Sequence, residues 1–292
     1  MNAVSPQGWF LKCGAAAALP LLVYAAIALA GPQAPPLPTS RDAALTVLDR
    51  YMQEPVPNVL LVGSSLTARL NEEYFDTPNL RVVGLAGGSA ITALEVALSR
   101  DRLPGTILIE MNILERGEDP ALVQRFVGGG GASTWPRPIR SAIAFYERWH
   151  HAPPDRRQAK VVAAALLRAP PSDFDNRIYV ERATRELNTA PSDAIMRTNL
   201  ATLQRLVEKI EARGSQAYFY NLPLAGELGD SVAAKATAAV AHAGFSDDRQ
   251  WLHLDGSIPD LRWADGVHLD ERSAVIVTQS IDRVLPSLLG PR

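Results

Sequence analysis

Val59-Leu60-Leu61-Val62-Gly63-Ser64-Ser65-Leu66-Thr67 is the stretch from which the rest of the chain can be read. A short, unbroken apolar run suits a strand covered on both faces, as in a parallel sheet. The run stops at Gly63 and passes directly into two hydroxyls. Four more runs of the same kind follow. They are Leu80-Arg81-Val82-Val83 ending at Gly84, Thr106-Ile107-Leu108-Ile109, Ala217-Tyr218-Phe219-Tyr220, and Trp251-Leu252-His253-Leu254.

The segments between these runs carry helical spacing. Ser192 is placed to cap a helix with Leu200, Leu203, Val207 and Ile210 on one face, closed by Gly214. Asp270 precedes a final helix with Ala274, Val277, Ile281 and Val284 on one face. Strands alternating with helices through right-handed crossovers give an α/β fold of three layers around a five-stranded parallel sheet. Roughly 80 residues separate the third strand from the Ser192 helix, far more than an ordinary connection. Residues 114–191 therefore read as an insertion, with Gly128-Gly129-Gly130-Gly131 and Trp135-Pro136-Arg137-Pro138 inside it.

Residues 13–31 read CGAAAALPLLVYAAIALAG and contain no charge. About 19 residues of helix at roughly 1.5 Å each would span a bilayer's hydrocarbon core. Residues 1–31 are thus expected to be a membrane anchor, oriented N-in by Lys12, with Ala28-Leu29-Ala30 leaving a cleaved signal peptide as the alternative. Residues 32–40, rich in proline, form a stiff linker, and residues 41–292 the folded domain. A net charge of −2 gives no reason to expect nucleic acid as a partner. The single cysteine, Cys13, rules out an intrachain disulfide and a cysteine-based metal site.

In an open parallel sheet, ligands bind beyond the carboxyl ends of the strands. There this chain places Ser64 and Ser65, then Gly87 and Gly88, then Glu110 and Asn112, and before the last helix Asp265 and His268. These are the parts of acyl transfer by a serine. The hydroxyl needs an imidazole to accept its proton, and the imidazole needs a carboxylate on its other nitrogen. The Asp265–His268 spacing lets both travel on one turn. The backbone N–H groups of Ser65 and Gly87 and the side-chain amide of Asn112 are candidate donors to an oxyanion. Ser64, Gly88 and Glu110 are possible accessory residues, with Glu110 alternatively a structural acceptor for backbone N–H groups. Among the remaining histidines, His253 reads as a satisfied strand residue. His150 and His151 read as facing water, and a metal site built from histidines is not expected.

This series resembles the conserved blocks of the SGNH (GDSL-like) hydrolase superfamily. Ser65 matches the block I serine, Gly87 the block II glycine and Asn112 the block III asparagine, while Asp265 and His268 match the block V Asp-x-x-His. The chain departs from the pattern at Ser64, where the family has Asp, and at Glu110 and Ile113 beside Asn112. The resemblance implies a flavodoxin-like sandwich, a Ser65–His268–Asp265 triad, ester chemistry without a cofactor, and an oxyanion hole from Ser65, Gly87 and Asn112. Tethered members of this superfamily imply a periplasmic domain on the bacterial inner membrane. Such a domain would take acetyl groups from a membrane-bound O-acyltransferase and pass them to an exopolysaccharide or cell-wall glycan. An acetylesterase and a non-catalytic subunit of a polysaccharide export complex are the alternative expectations.

Overall fold

The computed structural model describes residues 40–128, 156–254 and 260–289, together with scattered helical positions between 14 and 25. The chain divides into two units, Pro38–Ala132 with Pro154–Arg292, and Met1–Leu37 with Ser133–Pro153. Most of the second unit, including most of the expected anchor and the Trp135–Pro138 segment, lies outside the described residues. So do His150 and His151. Its described helical positions include Leu19, Leu21 and Leu22, each about two-thirds exposed at 65–67%. Among the described residues no helix is long and apolar enough to cross a membrane.

The larger unit is built on five strands: β1 (Val59–Gly63), β2 (Leu80–Gly84), β3 (Thr106–Glu110), β4 (Gln216–Tyr220) and β5 (Trp251–Leu252). They form one all-parallel sheet in the order β2-β1-β3-β4-β5. That order, with β1 and β3 adjacent and their connections leaving in opposite directions, is the flavodoxin-like arrangement with its crevice between β1 and β3. The fifth strand is shorter than its apolar run predicts. His253 is exposed and binds Asp248 Oδ1 at 3.0 Å through Nε2, so the chain leaves the sheet after Leu252.

The helices are α1 (Ser40–Gln53), α2 (Ala90–Leu98), α3 (Pro120–Val127), α4 (Arg156–Leu167), α5 (Arg177–Leu187), α6 (Asp193–Ala212), α7 (Val232–Gly244) and α8 (Glu271–Leu289). Their starts follow from side-chain caps. Ser89, Asp119, Ser192 and Ser231 each accept from a backbone N–H in the first turn of α2, α3, α6 and α7. Asp270 Oδ1 accepts from Ser273 N at 2.7 Å at the start of α8. No α-helix joins β1 to β2; two short 3₁₀ turns, Thr67–Arg69 and Glu72–Tyr74, make that crossover.

Side chains alternate across each strand, so the sheet feeds two separate cores. Leu60, Val62, Ile107, Ile109 and Phe219 pack with α1, α2 and α6 through residues such as Leu48, Leu94 and Leu206. Val59, Leu61, Leu108 and Tyr220 pack on the opposite face with Val277, Ile281 and Leu285 of α8. Burial of each large aliphatic side chain contributes about 1.5–3 kcal/mol, so the two layers hold the strand ends rigid. The carboxyl ends of β1, β2 and β3 are therefore fixed points from which short loops project.

Candidate active site

Ser65 follows β1 by two residues, and His268 lies in the loop before α8, 203 residues later. The fold brings them together. His268 Nε2 stands 2.9 Å from Ser65 Oγ, and His268 Nδ1 stands 2.7 Å from Asp265 Oδ2. An ionised carboxylate only accepts, so Nδ1 carries the proton and Nε2 is left to accept from the serine hydroxyl.

The loop bearing Asp265 and His268 is itself a closed unit. Trp263 and Leu269 form an antiparallel bridge, and Ala264 N donates to His268 O at 2.8 Å. The turn between them runs through Gly266, whose φ of +86° lies in the left-handed region that favours glycine. Asp265 Oδ1 accepts from Val267 N at 3.1 Å and His268 N at 2.7 Å, while its other oxygen holds the imidazole. Partial burial pushes the Asp265 carboxyl up. The two hydrogen bonds from His268, its charge and the Val267 N–H outweigh this and hold the carboxyl below its ordinary range. Three further contacts tie the loop down. Trp263 Nε1 donates to Pro223 O at 3.2 Å, Ala225 N to Gly266 O at 3.1 Å, and Asn176 Nδ2 to Trp263 O at 3.1 Å.

Donors for a developing negative charge sit at the same strand ends. In the stretch 64–68, Ser64 N and Thr67 N donate to Glu110, Leu66 N to Ser64 Oγ and Ala68 N to Ser64 O. The N–H of Ser65 alone in that stretch has no partner among the described residues. Gly87 is exposed, has a φ of +75°, and its N–H is likewise without a partner among the described residues. Asn112 is more constrained than its sequence position conveys. Its Nδ2 donates to Leu222 O at 2.8 Å and its Oδ1 accepts from Leu222 N at 2.7 Å. One amide N–H remains for a ligand.

The accessory residues divide by role. Gly88 N donates to Leu85 O at 2.8 Å, so it closes the turn and offers no donor to the site. Ser64 is buried, and its hydroxyl donates to Glu110 Oε1 at 2.7 Å rather than meeting His268. Glu110 is 3% exposed and accepts from both Ser64 and Thr67. Thr67, Tyr220, Leu222 and Asn176 do not stand out in the sequence as residues of the site. A hydroxyl at the carboxyl end of β4, in Tyr220, is the one signal that points to a polar cluster there. His242 stacks on Trp251 with ring centroids 3.9 Å apart, as a packing residue.

A groove of about 600 Å³ opens beside Gly87, lined also by Thr92, Arg116, Gly117, Glu118 and Pro120. Among the described residues no group of three or more His, Cys, Asp or Glu side chains is arranged to hold a metal ion. The sequence matches no protein-family model and no curated protein.

Proposed function

We propose that this chain performs acyl transfer through Ser65, His268 and Asp265, and that its reaction is O-acetylation of a glycan supplied with acetyl groups at a membrane. The observation that carries the proposal is the unbroken hydrogen-bond chain from Ser65 Oγ through both nitrogens of His268 to Asp265. The SGNH-like motif order supports the same chemistry, and the apolar N-terminal run supports the membrane setting.

In the first half-reaction Ser65 Oγ attacks the acyl carbonyl carbon and its proton passes to His268 Nε2. The carbonyl oxygen becomes an oxyanion, received by the N–H groups of Ser65 and Gly87 and the spare N–H of Asn112. Collapse breaks the bond to the donor's leaving oxygen, which takes the proton from His268, and leaves an ester on Ser65. In the second half-reaction a sugar hydroxyl gives its proton to His268 and attacks that ester. Collapse of the second intermediate breaks the bond to Ser65 Oγ, which takes the proton back from His268, and yields the acylated sugar. The groove that Gly87 lines offers space for the acceptor. Asp265 keeps Nδ1 protonated in both halves and stabilises the imidazolium.

Mass analysis of the protein treated with an acetyl donor, with and without oligosaccharide, tests this reading. A 42 Da adduct (the expected mass of one acetyl group) on Ser65 that discharges onto the sugar is the expected result. Discharge to water at a rate indifferent to sugar would make the protein an acetylesterase. No adduct, with Ser65→Ala leaving polymer modification intact in cells, would assign it a non-catalytic place in an export complex.

A further inference from the structure

Glu110 is a carboxylate that the proposed reaction does not touch, buried at the end of β3 beneath the loop that carries Ser65. Four donors converge on it. Ser64 N reaches Oε2 at 2.8 Å and Ser64 Oγ reaches Oε1 at 2.7 Å; Thr67 N reaches Oε2 at 3.2 Å and Thr67 Oγ1 reaches it at 2.5 Å. Each hydroxyl also accepts. Leu66 N donates to Ser64 Oγ at 3.1 Å, and the buried Tyr220 hydroxyl, 2.7 Å from Thr67 Oγ1, donates to it because Thr67 gives its own proton to Glu110. Every direction in this chain ends on the carboxylate, with three of the bonds on Oε2 and one on Oε1.

The consequence falls on Ser65. Glu110 takes up, directly or through Ser64 Oγ, the N–H groups of residues 64, 66 and 67, and the N–H of Ser65 is the one left over. It also cross-links the carboxyl ends of three neighbouring strands, since it belongs to β3, its donors follow β1, and Tyr220 ends β4. No room exists for a looser arrangement. A Cβ on Gly63 would lie 2.7 Å from Glu110 Cβ and would overlap Thr67 Oγ1 and the carboxylate itself.

We infer that Glu110 is a positioning residue for the candidate nucleophile: it locks residues 64–67 so that Ser65 Oγ meets His268 while the Ser65 N–H stays turned to the oxyanion. This role rests on the acyl-transfer reading. A group that holds catalytic atoms in place acts on turnover, because small displacements of a nucleophile cost rate far more than they cost ground-state binding. Glutamine at 110 has nearly the same volume but replaces one acceptor oxygen by an NH₂ group facing N–H and O–H donors.

The test is p-nitrophenyl acetate turnover by the full chain, with kcat expressed per folded protein. Wild type, S65A, E110Q and Y220F are compared below the melting temperature of each. The expected result is a kcat in E110Q lower by about tenfold to a hundredfold with KM within about twofold. Y220F, which removes only the terminal donor, is expected to lose about threefold in kcat with KM unchanged. A folded E110Q with wild-type kcat overturns the inference. If E110Q does not fold, Y220F decides, and an unchanged kcat there overturns it equally. Wild-type turnover no greater than that of S65A would instead fell the acyl-transfer reading, and this role with it.

Discussion

At Asp265 the two oxygens of one carboxylate do different things. Oδ1 ties the turn through the Val267 and His268 amides, and Oδ2 orients the imidazole. Asn at 265 keeps one acceptor but presents an NH₂ to one of these partners, favouring the wrong tautomer of His268. Under the proposed chemistry Asp265→Asn is expected to lower kcat by roughly 10³–10⁴-fold, and Ser65→Ala to abolish acyl-enzyme formation. The same carboxylate makes stability depend on pH. Its folded value lies below the ordinary 3.8, so the stabilisation is fully present above that value and is lost as pH falls through the depressed one. The difference in melting temperature between wild type and Asp265→Asn should be at full size near neutral pH and shrink below about pH 4. A difference that stays constant down to about pH 2 would show that the carboxylate charge contributes nothing to the fold.

Among the elements, the strand ends were the legible part. Apolar runs stopping at Gly63 and Gly84 place the turns where the structure has them, and Gly63 and Gly84 are register partners in the β1–β2 pair. The sequence conveys that a glycine is there but not why. At Gly84 an added Cβ would overlap the backbone of Ala68, and at Gly63 it would collide with the Glu110–Thr67 cluster. Gly63→Ala and Gly84→Ala are each expected to lower unfolding free energy by about 3 kcal/mol or more, as seen by a shifted urea midpoint. A midpoint unchanged in either variant would mean that the loops relax at no cost. Other features were not legible, for physical reasons. Residues 64–79 cross from β1 to β2 in 3₁₀ turns, held by long-range contacts rather than helical periodicity. Trp251 to Leu254 has the composition of a full strand, yet His253 pairs with Asp248 and ends pairing after two residues. Glu110 was readable as polar and near the site. Its four donors come from residues 43 and 46 positions away, and no local pattern records them.

At the scale of the whole molecule, both cores draw on residues from Ala44 onward, and no described residue before Ala44 contributes to either. The hydrogen-bonded triad, the uncommitted N–H groups and the Glu110 cluster likewise lie within the unit formed by Pro38–Ala132 and Pro154–Arg292. Assembly of the site thus draws on the sheet and its two helical layers, whereas under the proposed function the use of membrane-delivered acetyl groups is expected to depend on residues 1–37. The two requirements are separable by experiment. A chain beginning at Pro38 should fold and turn over p-nitrophenyl acetate with kcat and KM within about twofold of the full chain, because preorganisation of the site is unaltered. Under the proposed function the same chain, exported from the cytoplasm, should fail to acetylate polymer in cells, because tethering would supply the effective concentration at a membrane donor. Loss of both activities would show that residues 1–37 complete the fold. Retention of both would remove the membrane from the mechanism and leave a freely diffusing transferase or esterase.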